Sequence, residues 1–423
     1  MQRRTFLVGG AAALRVLGAN DRVNVAVIGV GGRGTDHVKF ISKLPNAKLA
    51  GVCDVNQAQT ERASALVEKL GGSKPKQYED MRRVFDDKDI DAVSIATPNH
   101  WHALSTIWAC EAGKDVYCEK PASYNIFEGL RMTAAARKNK RIVQIGMQSR
   151  STEHKQRAVQ LLRDGALGKL YMAKGFCFKR RRSIGHTPDE PVPAGVNWDL
   201  FLGPAAITPY SKNRHVYNWH WFWNTGNGDI GNQGIHEMDI CRWGMGVGLP
   251  QAVSATGGKY VYEDDQETPN TLLATLDYGD KEIVFEVRGL PTAGEADMRP
   301  GGPNFVGNIF YGEKGFMVVD DAGFRIFLGE KREPGESMQS KRDDTSGAHF
   351  ANFLEAVKTR KHTDLNGDVE TGAESMVLVH LANTSYRLGR SLKFDPKTHS
   401  FIGDAEADKM KTRNPYRAPY VVA

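Results

Sequence analysis

The run Gly29-Val30-Gly31-Gly32-Arg33-Gly34 follows an apolar stretch at residues 23–29. In such a run Gly29 permits a tight turn, and Gly31, with Gly32 and Arg33 beside it, lets the backbone approach a pyrophosphate. Gly34 lets the next helix pack closely. Asp54 ends a second apolar run twenty residues after Gly34, where a carboxylate accepts hydrogen bonds from an adenosine ribose. No arginine stands in Val55-Asn56-Gln57 to receive a 2′-phosphate, so the expected cofactor is NAD rather than NADP.

Two further loops carry polar groups. One is Ala96-Thr97-Pro98-Asn99-His100-Trp101-His102 and the other Tyr117-Cys118-Glu119-Lys120-Pro121. Both end apolar runs, which places them at the carboxyl edge of a parallel sheet, where ligands of such folds bind. Further on, Asn232, His236 and Asp239 share one face if residues 231–239 are helical. Tyr217, Trp219, Trp221 and Trp223 alternate; in an extended segment they form one aromatic face that either stacks on a sugar ring or belongs to the core. Arg150, Asp239 and the run Lys179-Arg180-Arg181-Arg182 are placed to reach a polar substrate, although such a run also reads as a solvated face. His100 and His102 have no carboxylate or thiolate cluster at ligand spacing, so no metal is expected.

These groups need a scaffold. Apolar runs at 23–29, 49–54, 92–96, 115–118 and 142–146 read as buried parallel strands, with helices such as 57–70 and 102–112 stopped by glycines. This is an α/β Rossmann domain, a doubly wound parallel sheet, over residues 21–147. Strand patterns at 271–277, 282–288, 308–311, 316–319 and 324–328, joined by glycine turns, predict a C-terminal α+β domain with a mainly antiparallel open sheet over 148–390. Helices at 349–358 and 370–388 pack on that sheet or on the first domain. Residues 391–423 read as a C-terminal tail.

Composition narrows the class. The 423 residues carry 56 basic and 50 acidic groups, largely interspersed, so no nucleic-acid stripe is expected. No run is long and apolar enough for a membrane span. Five cysteines without a Cys-x-x-Cys pair signal neither zinc nor a disulfide framework. Arg3-Arg4 before a short apolar, small-residue stretch predicts a twin-arginine export signal over residues 1–20, and a periplasmic or secreted protein. The alternative is a frayed basic tail on a cytoplasmic protein.

The glycine loop, the Thr97-Pro98-x-x-x-His102 loop and Glu119-Lys120-Pro121, in this order, resemble the glucose–fructose oxidoreductase / inositol dehydrogenase family, and the similarity extends over the chain after residue 21. The resemblance implies that Lys120 sits beside the nicotinamide and the substrate hydroxyl, that His102 lines the nicotinamide pocket, and that His236 accepts the proton. It also implies a carbohydrate substrate between the domains and a homo-oligomer, dimer or tetramer. Many members have an aspartate where this chain has Asn232, an amide that orients an imidazole without stabilising its charged form; Asp229 or Asp239 is then expected to supply the carboxylate. The expected activity is NAD-dependent oxidation of a sugar or glycoside hydroxyl by an exported enzyme. The alternatives are a glycoside hydrolase that oxidises its substrate transiently and a non-catalytic sugar sensor.

Overall fold

The computed structural model describes residues 22–341 and 345–423; the expected export signal at residues 1–20 lies outside them. Val23–Ile28, Ala47–Cys53, Lys76–Tyr78, Ala92–Ile95, Asp115–Cys118 and Val143–Ile145 form a parallel sheet of six strands in the spatial order third, second, first, fourth, fifth, sixth. The third strand, whose Lys76-Gln77-Tyr78 carries no apolar run, is the one that the sequence pattern does not predict. The order reverses between the first and fourth strands, and the Rossmann ligand crevice lies outside their carboxyl ends.

The second sheet has ten strands and is antiparallel except where Glu282–Arg288 pairs in parallel with Leu170–Phe178. Leu170–Phe178 holds the centre, between Glu282–Arg288 and Phe305–Gly312. Its successive residues are mostly buried on both faces, so the alternation that reveals a half-exposed strand is missing. The helices Gly234–Met245 and Val369–Leu388 pack against this sheet, their apolar side chains joining those of the strands in one large core.

Of the two packings open to the late helices the structure has one each, and one boundary expectation is corrected. Helix Thr345–Thr359 packs on the Rossmann domain: Phe350 stacks on Tyr117 at 3.9 Å between ring centroids, and Phe353, Leu354 and Val357 join the same core as Val25 and Val27. Such an aromatic pair contributes about 0.5–1.5 kcal/mol beyond the area it buries. Residues 391–423 are not a free tail. Leu392–Asp395 and Ser400–Phe401 extend the large sheet at one edge, and Tyr420 and Val422 are buried. Apolar residues at alternate positions there have only two short strands to mark them.

Candidate functional site

The first glycine loop is built as its spacing predicts. Gly29 has φ +79°, and a Cβ there would lie 2.7 Å from the Thr97 backbone nitrogen; a Cβ on Gly34 would lie 1.8 Å from the Gly29 carbonyl oxygen. The turn and the close helix start therefore exclude side chains. Cβ atoms on Gly31 and Gly32 would meet nothing, because these residues border a cavity of ≈ 580 Å³. Gly32 begins helix Gly32–Ser42, whose free N–H groups and dipole favour a phosphate. The buried Thr97 Oγ1 has no hydrogen-bond partner. An open glycine cradle, a helix start and a spare hydroxyl along one cavity fit a dinucleotide.

The Asp54 carboxylate accepts backbone N–H bonds from Val30 at 2.8 Å and Asn56 at 2.9 Å, which ties the end of the second strand to the glycine loop. Burial pushes its pKa up, against the opposing pull of those two N–H groups. We expect calorimetric titration to show tighter binding of NAD than of NADP, since the carboxylate repels a 2′-phosphate. Asp54→Ser narrows the gap; tighter NADP binding by the unsubstituted protein would reverse this assignment.

Over the adenosine end runs a segment of the second domain. Gly195 accepts from Gln57 N–H at 2.9 Å, Asn197 N–H donates to the Val55 carbonyl at 2.8 Å, and Asn197 Nδ2 donates to Glu79 at 3.0 Å. These bonds strap the carboxyl end of the second strand beside Asp54. A second cavity of ≈ 620 Å³ lies along the same strap, lined by Asp54, Gln57, Tyr78, Glu79 and Val196 among others.

Toward the other end, the main cavity is lined by Arg33, Thr97, Pro98, Glu119 and Lys120 from the first domain and by Lys179, Arg181, Tyr217, Trp219, His220, Asn232 and Gln233 from the second. The buried Glu119 carboxylate gathers three donors from two elements: Arg33 Nε at 2.7 Å and His37 Nε2 at 3.0 Å from helix Gly32–Ser42, and Gln148 Nε2 at 3.0 Å from the turn after the sixth strand. Burial alone would raise its pKa; the Arg33 guanidinium and the His37 hydrogen bond overcome that and hold it well below the usual carboxylate range. Arg33 thus couples the glycine loop to the Glu119-Lys120-Pro121 turn.

Lys120 Nζ donates to the Asn232 backbone oxygen at 2.6 Å, with the Asn232 amide oxygen at 3.4 Å. Burial pushes its pKa down to about 8; Glu119 pulls upward, while Arg33 and Lys179 push further down. A buried ammonium poised near neutral pH both donates to a developing oxygen charge and accepts a proton.

His102 does not line the cavity. Its Nδ1 lies 2.6 Å from the Pro121 carbonyl and its Nε2 2.8 Å from that of Thr97, so the ring sits between the two first-domain loops and, neutral through burial, donates its one N–H to one of the two carbonyls. Asn99 donates to Asn227 across the domain boundary, and it too lies off the lining.

The expected single helix over 231–239 is broken. Gly228–Asn232 and Gly234–Met245 are separate helices with Gln233 between them. A Cβ on Gly234 would lie 2.9 Å from the Phe285 ring, so the second helix starts where the chain must press onto the sheet. Asn232 consequently turns to Lys120, and its Nδ2 donates to Tyr217 Oη at 3.1 Å. His236 makes no side-chain hydrogen bond among the described residues, and its Nδ1 is buried without a partner. Burial and then Lys120 push its pKa well below the ordinary value, so the ring is neutral. It stands outside the cavity lining.

Neither candidate carboxylate serves His236. Asp229 takes Arg181 in two bonds, at 2.9 and 2.7 Å. Asp239 takes Arg150 in two bonds, at 2.7 and 2.8 Å, and accepts Ser375 Oγ at 2.7 Å. Arg150 and Asp239, expected to touch substrate, are 8% and 1% exposed, and they form a buried ion pair off the cavity. The aromatic alternation also fails as an extended face, because Asn218–Trp221 is a 3-10 helix. Trp219 reaches the cavity and stacks on His220 at 3.6 Å, while Trp221 is buried away from it. Gln233, His215 and His220 also line the cavity; no motif marks them.

Three family models match the chain. The oxidoreductase family NAD-binding Rossmann fold matches residues 23–147, the GFO/IDH/MocA C-terminal domain residues 205–315, and the oxidoreductase family C-terminal alpha/beta domain residues 334–422. The chain belongs to the GFO/IDH/MocA oxidoreductase family, and its first domain is an NAD-binding Rossmann domain. Among its relatives is the uncharacterized oxidoreductase YrbE of Bacillus subtilis, 29% identical over 88% of this chain and 97% of that protein. Inositol 2-dehydrogenase of Rhodococcus jostii is 32% identical over 40% of this chain and 44% of its own. A glycosyl hydrolase family 109 protein of Saccharopolyspora erythraea is 26% identical over 50% and 42%. The chain therefore spans less than half the length of those last two. Levoglucosan dehydrogenase in complex with NADH has a similar fold, with TM-score 0.67 and 18% identity over 88% of this chain and 99% of that one.

Proposed function

We propose that this protein is an NAD-dependent oxidoreductase that oxidises a hydroxyl of a sugar or glycoside, with Lys120 and His236 handling the proton. The observation that carries the reading is Lys120: its ammonium lies in the same cavity as the glycine loop, fixed on Asn232, with a pKa lowered to about 8. Bound NAD accepts the hydride. In its neutral form Lys120 takes the hydroxyl proton, and as an ammonium it donates to the oxygen in the reverse direction. His236, held neutral with a free Nδ1 behind the cavity lining, takes the proton on from Lys120. Trp219 and His220 offer stacked rings to the C–H face of a sugar. The partial likeness to inositol 2-dehydrogenase supports a polyol substrate.

The likeness to a glycosyl hydrolase family 109 protein favours a second reading, a glycoside hydrolase in which the sugar is oxidised transiently, the aglycone is eliminated, water adds in its place and the hydride returns to the same substrate. A panel of aryl glycosides and free sugars, followed for both reduced nicotinamide and released aglycone, separates the two. Net reduced nicotinamide supports the dehydrogenase; aglycone released without it supports the hydrolase; neither product from any sugar would overturn both. We further propose that the protein is exported folded with its cofactor, a reading that rests on Arg3-Arg4 and is supported by the strap over the adenosine end.

A further inference from the structure

The catalytic end of the cavity is unevenly charged. Four cations line the cavity, and two are neutralised in place: Arg33 by Glu119 and Arg181 by Asp229. The other two, Lys120 and Lys179, have no carboxylate within ion-pair distance among the described residues. Each is anchored instead on an uncharged amide oxygen, and the two anchors are consecutive residues. Lys120 Nζ donates to Asn232 O at 2.6 Å and Lys179 Nζ to Gln233 Oε1 at 2.8 Å. The break between the two helices therefore brings two ammonium groups to one wall.

The acids nearby do not balance them. Asp54 and Glu79 lie at the adenosine end, under the strap. Glu237 stands behind Gln233, whose Nε2 donates to it at 3.2 Å, but burial pushes its pKa up to about 8, so it is largely uncharged at neutral pH. The dinucleotide's own phosphates belong at the glycine cradle and the start of helix Gly32–Ser42, not at this wall. A partly buried ammonium held only by an amide is incompletely compensated, and an anion on the substrate completes it. Lys120 is committed to the reacting oxygen, which leaves Lys179, with a single charge to match.

We propose that Lys179 is a specificity-determining residue that binds a carboxylate on the substrate, so that the enzyme acts on sugar acids in preference to neutral sugars. This rests on the oxidoreductase reading above for the reaction, though not for the binding. One positive charge matches a carboxylate better than a phosphate dianion, and no unpaired guanidinium fork is present in the lining to grip a phosphate.

The test compares D-glucuronate and D-galacturonate with D-glucose, D-galactose and D-glucose 6-phosphate. Calorimetric binding to the NADH-loaded protein and initial rates with NAD are both measured, for the unsubstituted protein, Lys179→Met and Lys179→Arg. We expect uronates to bind at least about tenfold more tightly than their neutral counterparts. Lys179→Met then weakens uronate binding about tenfold more than neutral-sugar binding, with NADH binding retained as the check on folding, and Lys179→Arg restores part of the preference. Uronates that bind no more tightly than neutral sugars, a loss in Lys179→Met equal for both classes, or a preference for glucose 6-phosphate over uronates would overturn the proposal. Lys179-dependent uronate binding without reduction of NAD by any sugar would keep the carboxylate site and sink the oxidoreductase reading instead.

Discussion

Replacing Lys120 with alanine lowers the rate of sugar oxidation by about a hundredfold or more while NAD binding changes little. The side chain lost is the one fixed by Asn232 in the cavity that the glycine loop borders, and the loop itself is untouched. The pH dependence has a definite sign. Oxidation needs the neutral amine, so the rate of the unsubstituted protein rises with pH through about 8, the value to which burial lowers Lys120. Asn232→Asp places a carboxylate beside that ammonium, favours the charged form and moves the rise to higher pH. Stopped-flow rates across pH check both statements. Turnover unchanged in Lys120→Ala removes this residue from the chemistry, and a profile that stays still in Asn232→Asp separates Asn232 from it.

The second large effect concerns stability. Asp239→Ala leaves the Arg150 guanidinium buried without its two-bond partner and removes the acceptor of Ser375 Oγ. Breaking a buried pair from one side costs about 3–5 kcal/mol, which denaturant unfolding reads as a lower midpoint. Because the pair is off the cavity, the folded fraction keeps its KM for sugar. Replacing both partners with apolar residues recovers much of the loss, since no lone charge remains. A raised KM at unchanged stability would return Asp239 to the substrate site.

Five of the six strands of the first sheet and the cofactor loop are legible in the sequence because their signals are local. Continuous apolar runs, glycines at fixed spacing and Asp54 after the second run each lie within a few residues of what they determine. Lys120 is legible through its motif. The pairings made across long stretches of chain are not. Asp239 and Arg150 stand 89 residues apart, and no local pattern distinguishes a carboxylate that meets an arginine from one that meets a histidine or a sugar. The motif puts His102 in the right loop but not in its role, because two carbonyl oxygens occupy its ring nitrogens. The helix break at Gln233 is hidden because a helical pattern runs through it; the Phe285 ring against Gly234 is a tertiary constraint. Lys179 is visible as part of a basic run, but its separation from Arg181, which Asp229 neutralises, and from the exposed Arg182 depends on the Gln233 side chain that the break exposes.

The most direct measurement follows the hydride itself. The protein, loaded with NAD, is mixed with a sugar carrying deuterium at the carbon-bound positions, and the nicotinamide recovered after denaturation is weighed by mass spectrometry. The account predicts reduced nicotinamide bearing one deuterium, formed by the unsubstituted protein and slowed by about a hundredfold in Lys120→Ala. Nicotinamide that stays oxidised and unlabelled across neutral and acidic sugars, in protein shown to bind NAD, would contradict it.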